Sequence, residues 1–299
     1  LYVWILIFLV ITFKPYISGD SIALVDGLDH VIQCLCVDSI RYPCGLQVAH
    51  FPIFQYLIAL PFRLLGLKND TLLPLLALLN FGWFLVSIAA FWRVGILTAG
   101  IRGGHLASIV LFSGYITWYA TASFNEAAAF SLFALLALSI LDQWKIFWIA
   151  TIAFLCTITK EIAFPFVFII IAIAALTRDQ ELPNLSDLYK WVYTFMLQYL
   201  LAIIAIIFGV IVNSVFNLFR FGSIHNMATL DPLFYTPWPY VPEFFFYLLF
   251  SPAGGLFFVW GTLCLLVIIG FYFCRHDSNR LWKLSFMTGM IALVYICFA

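Results

Sequence analysis

The chain has 299 residues, of which 65% are hydrophobic, 19% aromatic and only 9% charged; soluble globules carry roughly 25% charged residues, so a water-soluble fold is excluded and an all-α, polytopic membrane protein is expected. Fourteen basic residues balance fourteen acidic ones, so no basic surface invites nucleic acid, and each charge set in apolar sequence becomes individually informative.

A hydrocarbon core of about 30 Å calls for apolar runs of roughly 17–25 residues. Such runs lie near 1–15, 72–92, 104–122, 125–141, 146–158, 162–177, 191–213, 255–274 and 284–299, with a further one at 51–67 that Pro61 and Arg63 interrupt. About nine or ten spans are therefore expected. The chain lacks an initiator Met and begins and ends within apolar runs, so it reads as a segment of a longer protein.

Directly after the first run comes Ile17-Ser18-Gly19-Asp20-Ser21. A carboxylate where a helix leaves the bilayer has low dielectric on one side and water on the other, an environment that tunes its basicity. Asp20 is accordingly the candidate catalytic base, although Gly-Asp-Ser also suits a simple helix cap. An interfacial helix is expected from Asp20 to about Val37, within a polar connection over 16–50 that also holds Asp26, Asp29, His30, Asp38, Arg41 and His50. Cys34, Cys36 and Cys44 share this connection, where an oxidising compartment permits a Cys36–Cys44 or Cys34–Cys44 bridge.

Further along, 146–158 and 162–177 read as two short helices turning around Thr159-Lys160-Glu161, a charged tip tolerable only at an interface or a water-filled cavity. Arg93, Arg102, Lys145, Arg178, Lys190, Arg275, Arg280 and Lys283 fall in connections that share one side if the spans alternate, and that side is then cytoplasmic. The parity requires 51–67 to lie at the outer surface or re-enter. On the outer side remain 16–50, the tips at Ala122-Ser123-Phe124-Asn125-Glu126 and Thr159-Lys160-Glu161, and a connection from Asn213 to Gly255 rich in Pro and aromatics.

The first helix followed by Ser-Gly-Asp-Ser, the loop with Arg41-Tyr42-Pro43 and Gly45, His50-Phe51-Pro52 leading to Leu64-Leu65-Gly66, Asn217-Leu218-Phe219-Arg220-Phe221-Gly222-Ser223 and Leu249-Phe250-Ser251-Pro252-Ala253-Gly254-Gly255 resemble, in order and spacing, polytopic glycosyltransferases of the GT-C superfamily, most of all bacterial protein-mannosyltransferase-like members. The resemblance implies transfer of a sugar from a polyprenyl-phosphate donor to an acceptor hydroxyl at the outer face of a bacterial plasma membrane, with membrane lipids around the site. Asp20 would take the acceptor proton, giving inversion in a single displacement. Lys160 and Arg220 would neutralise the leaving phosphate. Glu126, Glu161, His50, Arg41 and His225 are possible substrate contacts.

The acidic pair usual in the family is here Asp20 followed by Ser21, and His30, His50 and His225 lack a metal-ligand spacing, so a divalent ion finds no ligand motif and no cofactor is implied. Other readings stand beside these roles. Lys160 pairs readily with Glu161, Arg220 between two phenylalanines suits a snorkelling interface anchor, and Glu126 suits the first turn of a helix. A secondary transporter is the rival class, although no two halves of similar hydropathy are visible and the charges gather at faces, away from span centres, and a non-catalytic structural or lipid-scaffolding membrane protein is a third reading.

Overall fold

A computed structural model describes residues 7, 19–36, 53–113, 124–160, 163–179, 188–224, 246, 265, 267–269 and 271–272. The expected runs at 1–15, 255–274 and 284–299 lie wholly or almost wholly outside these. Among the described residues the regular structure is helical: α1 Gly19–Cys36, α2 Ile53–Leu64, α3 Asn69–Ser113, α4 Phe124–Leu141, α5 Ile146–Thr159, α6 Ala163–Asp179, α7 Leu188–Gln198 and α8 Leu200–Phe221.

The helix expected from Asp20 to about Val37 is present as α1. Leu24, Val25, Leu28 and Val31 recur at helical spacing and are buried in a cluster with Tyr56 and Ala59 of α2 and Leu72 and Leu76 of α3. A forked ion pair fastens α1 to α2: Arg63 donates through Nε to Asp29 Oδ1 at 2.6 Å and through a terminal nitrogen to Asp29 Oδ2 at 2.5 Å, while its other arm caps the Leu67 carbonyl at 2.8 Å. That bond to Asp29 pushes the Arg63 pKa up and keeps the guanidinium charged. Cys34 is disulfide-bonded, its partner's side chain lying outside the described ones.

The run expected at 72–92 and the described part of that at 104–122, to residue 113, form one continuous element, α3, that doubles back at Ala99 and Gly100. Gly100 has φ 68° and ψ −163°, a conformation open essentially to glycine alone. The two arms then meet along Gly95, Gly103 and Gly104, where an added Cβ on Gly103 would overlap the Gly95 carbonyl. Trp92 and His105 face each other edge-on across this crossing at 4.9 Å. The first arm is longer than expected. Its 69–98 stretch rises about 45 Å, well past a hydrocarbon core of about 30 Å. Phe84 packs level with Ala127 at the head of α4, so about four turns of α3 extend beyond that level, and there Leu72 and Leu76 receive α1 and α2.

The remaining helices alternate in direction. Ser87 on α3 hydrogen-bonds Ser131 on α4 at 2.7 Å, and Arg93 reaches Asp142 just past α4 at 3.4 Å, so these two run parallel. The second arm of α3 returns between them in sequence. α5 and α8 also run parallel, since Phe154 stacks on Phe208 at 5.5 Å and Asn213 Nδ2 donates to the Thr157 carbonyl at 3.0 Å. Arg93, Arg102, Lys145 and Arg178, the last donating to the Tyr199 hydroxyl at 3.2 Å, collect at one end of this bundle. The heads of α3 and α4, the tip at Lys160 and the C-terminus of α8 lie at the other end.

Two helices, Asn69–Phe112 and Leu200–Phe221, are long and apolar enough to cross a membrane. α4, α5 and α6 are apolar but have 18, 14 and 17 residues, about 20–27 Å of rise. α2, with 12 residues, rises only about 18 Å, too little to cross unaided. The run expected at 191–213 is corrected. It breaks at Tyr199, and the long helix starts at Leu200 and continues eight residues past Asn213, so the start of the expected outer connection is helix.

Gly209 permits the α5–α8 contact. A Cβ there would stand 2.8 Å from Thr157 Cβ, whereas at Gly82 it would meet nothing within 4 Å. Gly209→Ala should therefore cost about 1–3 kcal/mol by overpacking, read as a lowered Tm in detergent. Gly82→Ala should leave Tm unchanged or slightly higher, and equal behaviour of the two variants would contradict the close α5–α8 packing.

Candidate functional site

One face of α8 is buried along its whole length: Ala202, Ile206, Gly209, Asn213, Asn217 and Arg220, spaced three or four apart. Its first half is apolar and small. Its second half is polar, and it ends at the bundle end that also carries Lys160 and the heads of α3 and α4. Ile204, Ile207, Phe208, Ile211 and Val215 on the other faces are exposed, as on a helix surrounded by lipid.

Arg220 is fully buried. One terminal nitrogen donates to Asn217 Oδ1 at 2.5 Å, and the guanidinium carbon lies 4.4 Å from the Phe216 ring centre and 4.6 Å from that of Phe221. The snorkelling anchor is thereby set aside, because a snorkelling arginine keeps its head in water. The Tyr56 hydroxyl of α2 lies beside the guanidinium, interacting with its charge but outside hydrogen-bonding geometry. Aromatic faces and an amide oxygen hold the fork in place at a site largely free of water, where a positive charge attracts an anion far more strongly than it would in solution.

An apolar groove of about 500 Å³ lies against the same stretch of α8, lined by Val31 of α1, Ile53 of α2 and Phe208, Val212, Phe216 and Phe219 of α8. Phe216 belongs both to this groove and to the stack on Arg220. Phe216 is thus common to a hydrocarbon-lined groove and to a buried cation that does not itself line the groove.

Lys160 terminates α5 in extended backbone, is partly buried, and accepts at its carbonyl from Ala163 N–H at 3.0 Å, closing the expected turn into α6. Since Thr157 is level with Asn213, Lys160 and Arg220 share one end, Arg220 reaching further by about one to two turns. The backbone of Asp20 lies in the first turn of α1 and that of Glu126 in the first turn of α4, both in the helical positions expected of them. Glu161, Arg41, His50 and His225 lie outside the described residues. Among the described residues no three His, Cys, Asp or Glu side chains gather as a metal site.

No family model, no curated protein and no solved structure matches the chain. The reading of the site therefore stands on its geometry and chemistry.

Four buried polar residues of α2 and α8 escaped the sequence reading: Gln55, Tyr56, Asn213 and Asn217, of which Tyr56 and Asn217 interact with Arg220. The two asparagines had a signal. Counted back from Arg220 by three and by seven, they fall on one helical face within an otherwise apolar run. Gln55 and Tyr56 had none, because nothing local says that α2 packs beside the end of α8.

Proposed function

We propose that the chain is a polytopic membrane glycosyltransferase of GT-C type, moving a sugar from a polyprenyl-phosphate donor to an acceptor hydroxyl at the outer face of the membrane. The observation that carries this reading is the apolar groove whose lining residue Phe216 also stacks on the buried Arg220. Such a pairing suits a ligand with a long hydrocarbon chain and a phosphate head. A buried arginine is costly and is retained where its charge has work to do.

In the transfer the bond between the anomeric carbon and the phosphate oxygen breaks, a bond to the acceptor oxygen forms, and the acceptor proton passes to Asp20. Arg220, with Lys160 approaching from α5, neutralises the charge gathering on the leaving phosphate. The end bearing Arg93, Arg102, Lys145 and Arg178 is cytoplasmic by the positive-inside tendency, and the Cys34 disulfide in α1 favours an oxidising compartment for the opposite end.

Purified protein in lipid, supplied with polyprenyl-phosphate sugars labelled in the sugar, should convert the label to an acceptor-linked or hydrolysed product and release polyprenyl phosphate. Passage of an intact solute into sealed vesicles with no cleavage of any donor would place the chain among transporters.

Orientation has its own test. Lys68→Cys, exposed just before α3, and Gln143→Cys, exposed between α4 and α5, stand at opposite ends. In intact cells a membrane-impermeant thiol reagent should label the first and spare the second. The reverse pattern would put Arg220 on the cytoplasmic side.

A further inference from the structure

The connection between α4 and α5 lies at the bundle end where cations collect, and its own backbone fixes its shape. Asp142 N–H donates to the Leu138 carbonyl and Trp144 N–H to the Ser139 carbonyl, both at 2.8 Å, with Gln143 between them in the left-handed region at φ 54°. Arg93 of α3 meets this turn. The Asp142 carboxylate takes the Arg93 guanidinium at 3.4 Å on one oxygen and the Trp144 indole N–H at 3.3 Å on the other. Lys145 follows directly and is exposed.

Every residue from Asp142 to Trp148 is exposed. In water, Trp144, Ile146, Phe147 and Trp148 would make a contiguous apolar patch; on a membrane protein such a run sits at the boundary of the bilayer, with rings among acyl chains and indole N–H and charges at the level of the headgroups. At that level the charges do not balance. Arg93 and Lys145 against Asp142 leave one net positive charge. The Arg93–Asp142 pair is long, and its side chains are 51% and 37% exposed, so it contributes little by itself. A guanidinium has five N–H groups and can serve a second anion alongside the first.

We propose that this connection binds a monoanionic phospholipid of the cytoplasmic leaflet, its phosphodiester shared by Arg93 and Lys145 and its acyl chains lying along Phe147 and Trp148. The charge count selects the headgroup, since one phosphodiester anion brings the cluster to neutrality, whereas a zwitterionic lipid adds an ammonium that the two cations repel. An acidic protein segment would meet the cations but not the apolar run beside them. A phospholipid carries both. The site is independent of the donor reading of Arg220, which lies at the other end of the bundle.

The test compares phosphatidylglycerol with phosphatidylcholine of the same acyl chains, titrated onto the purified chain in a neutral detergent. Binding is read by displacement of a fluorescent phosphatidylglycerol, and Tm is recorded without added lipid. A basic residue near a membrane surface contributes about 5-fold to the binding of anionic lipid, so the wild type should favour phosphatidylglycerol by at least that factor. Lys145→Gln should lose about 5-fold in affinity for phosphatidylglycerol while phosphatidylcholine binding and Tm stay unchanged. Asp142→Asn keeps an oxygen for Trp144 but removes the competing charge, so it should bind phosphatidylglycerol more tightly than the wild type does. Lys68→Gln, exposed at the opposite end, should behave as wild type.

Equal losses in Lys145→Gln and Lys68→Gln would mark a diffuse attraction between cations and anionic lipid and overturn the site. A wild type without preference overturns it too, as does an Asp142→Asn variant that binds no more tightly. Weakening of both lipids in Lys145→Gln together with a fallen Tm would make Lys145 a structural residue and likewise overturn the site.

Discussion

Asp20→Asn should abolish sugar transfer while expression and donor binding remain close to wild type. Asparagine keeps the size and most of the hydrogen bonding of aspartate but cannot accept the proton that the attacking hydroxyl must lose. Residue 20 lies in the first turn of α1, where a favourable charge at a helix N-terminus is typically worth a few tenths to about 1 kcal/mol. Transfer and stability should thus separate.

The control has to be chosen from the structure. Asp26 and Asp29 lie about two and two and a half turns further along α1, too far to share one proton with Asp20. Asp26 is exposed and serves as the silent control. Asp29 does not, because it holds Arg63 in a fork at 2.5 and 2.6 Å and so ties α1 to α2. Asp29→Asn should loosen α1 and lower transfer partially, together with Tm. Transfer rates of the three variants, measured at equal folded protein, check the assignment. Near-normal turnover in Asp20→Asn would remove Asp20 from the chemistry.

Arg220→Ala should lower turnover on the order of 10²-fold, the usual loss when one electrostatic contact to developing charge is deleted in a dry site. Arg220→Lys should recover little. A lysine has one compact cationic head and cannot at once reach Asn217, lie flat between Phe216 and Phe221 and offer a fork to phosphate. Arg220→Met separates function from folding. Exchange of a buried charge for an apolar chain of similar volume is often neutral or stabilising by roughly 1–4 kcal/mol. A chain that holds its Tm and has lost both transfer and affinity for polyprenyl phosphate identifies Arg220 as a phosphate contact. Full activity in Arg220→Met would leave the arginine a structural strut between α8 and α2.

Where local signals were strong, the elements lie within a residue or two of expectation. α1 begins at the Gly-Asp-Ser step and follows an apolar stripe of period near 3.6, and α5 gives way at Lys160 to an α6 that starts at Ala163, because two apolar runs cannot bury a charged tip between them. Expectation failed at α8. Asn213, Asn217 and Arg220 make that stretch look like a loop in linear composition, yet they share one buried face of a helix that continues to Phe221. It failed also at α3, whose arms are joined by two residues because Gly100 accepts a backbone closed to other side chains and three glycines let the arms touch.

Composition alone determines the helical class, since a chain so poor in charge and so rich in apolar runs must satisfy its backbone within each segment. Local sequence also determines that cations gather at one set of connections and that Asp20 heads a helix. Only the tertiary structure decides which polar groups meet. Asp26 and Asp29 are alike in sequence until Arg63 arrives from α2, and Tyr56 is an ordinary residue of a short helix until α8 brings Arg220 beside it. The reason is physical. Hydrophobic periodicity is a property of one helix and is readable within it, whereas electrostatic and hydrogen-bonding partners lie across helix contacts whose pairing depends on the packing of all the helices at once.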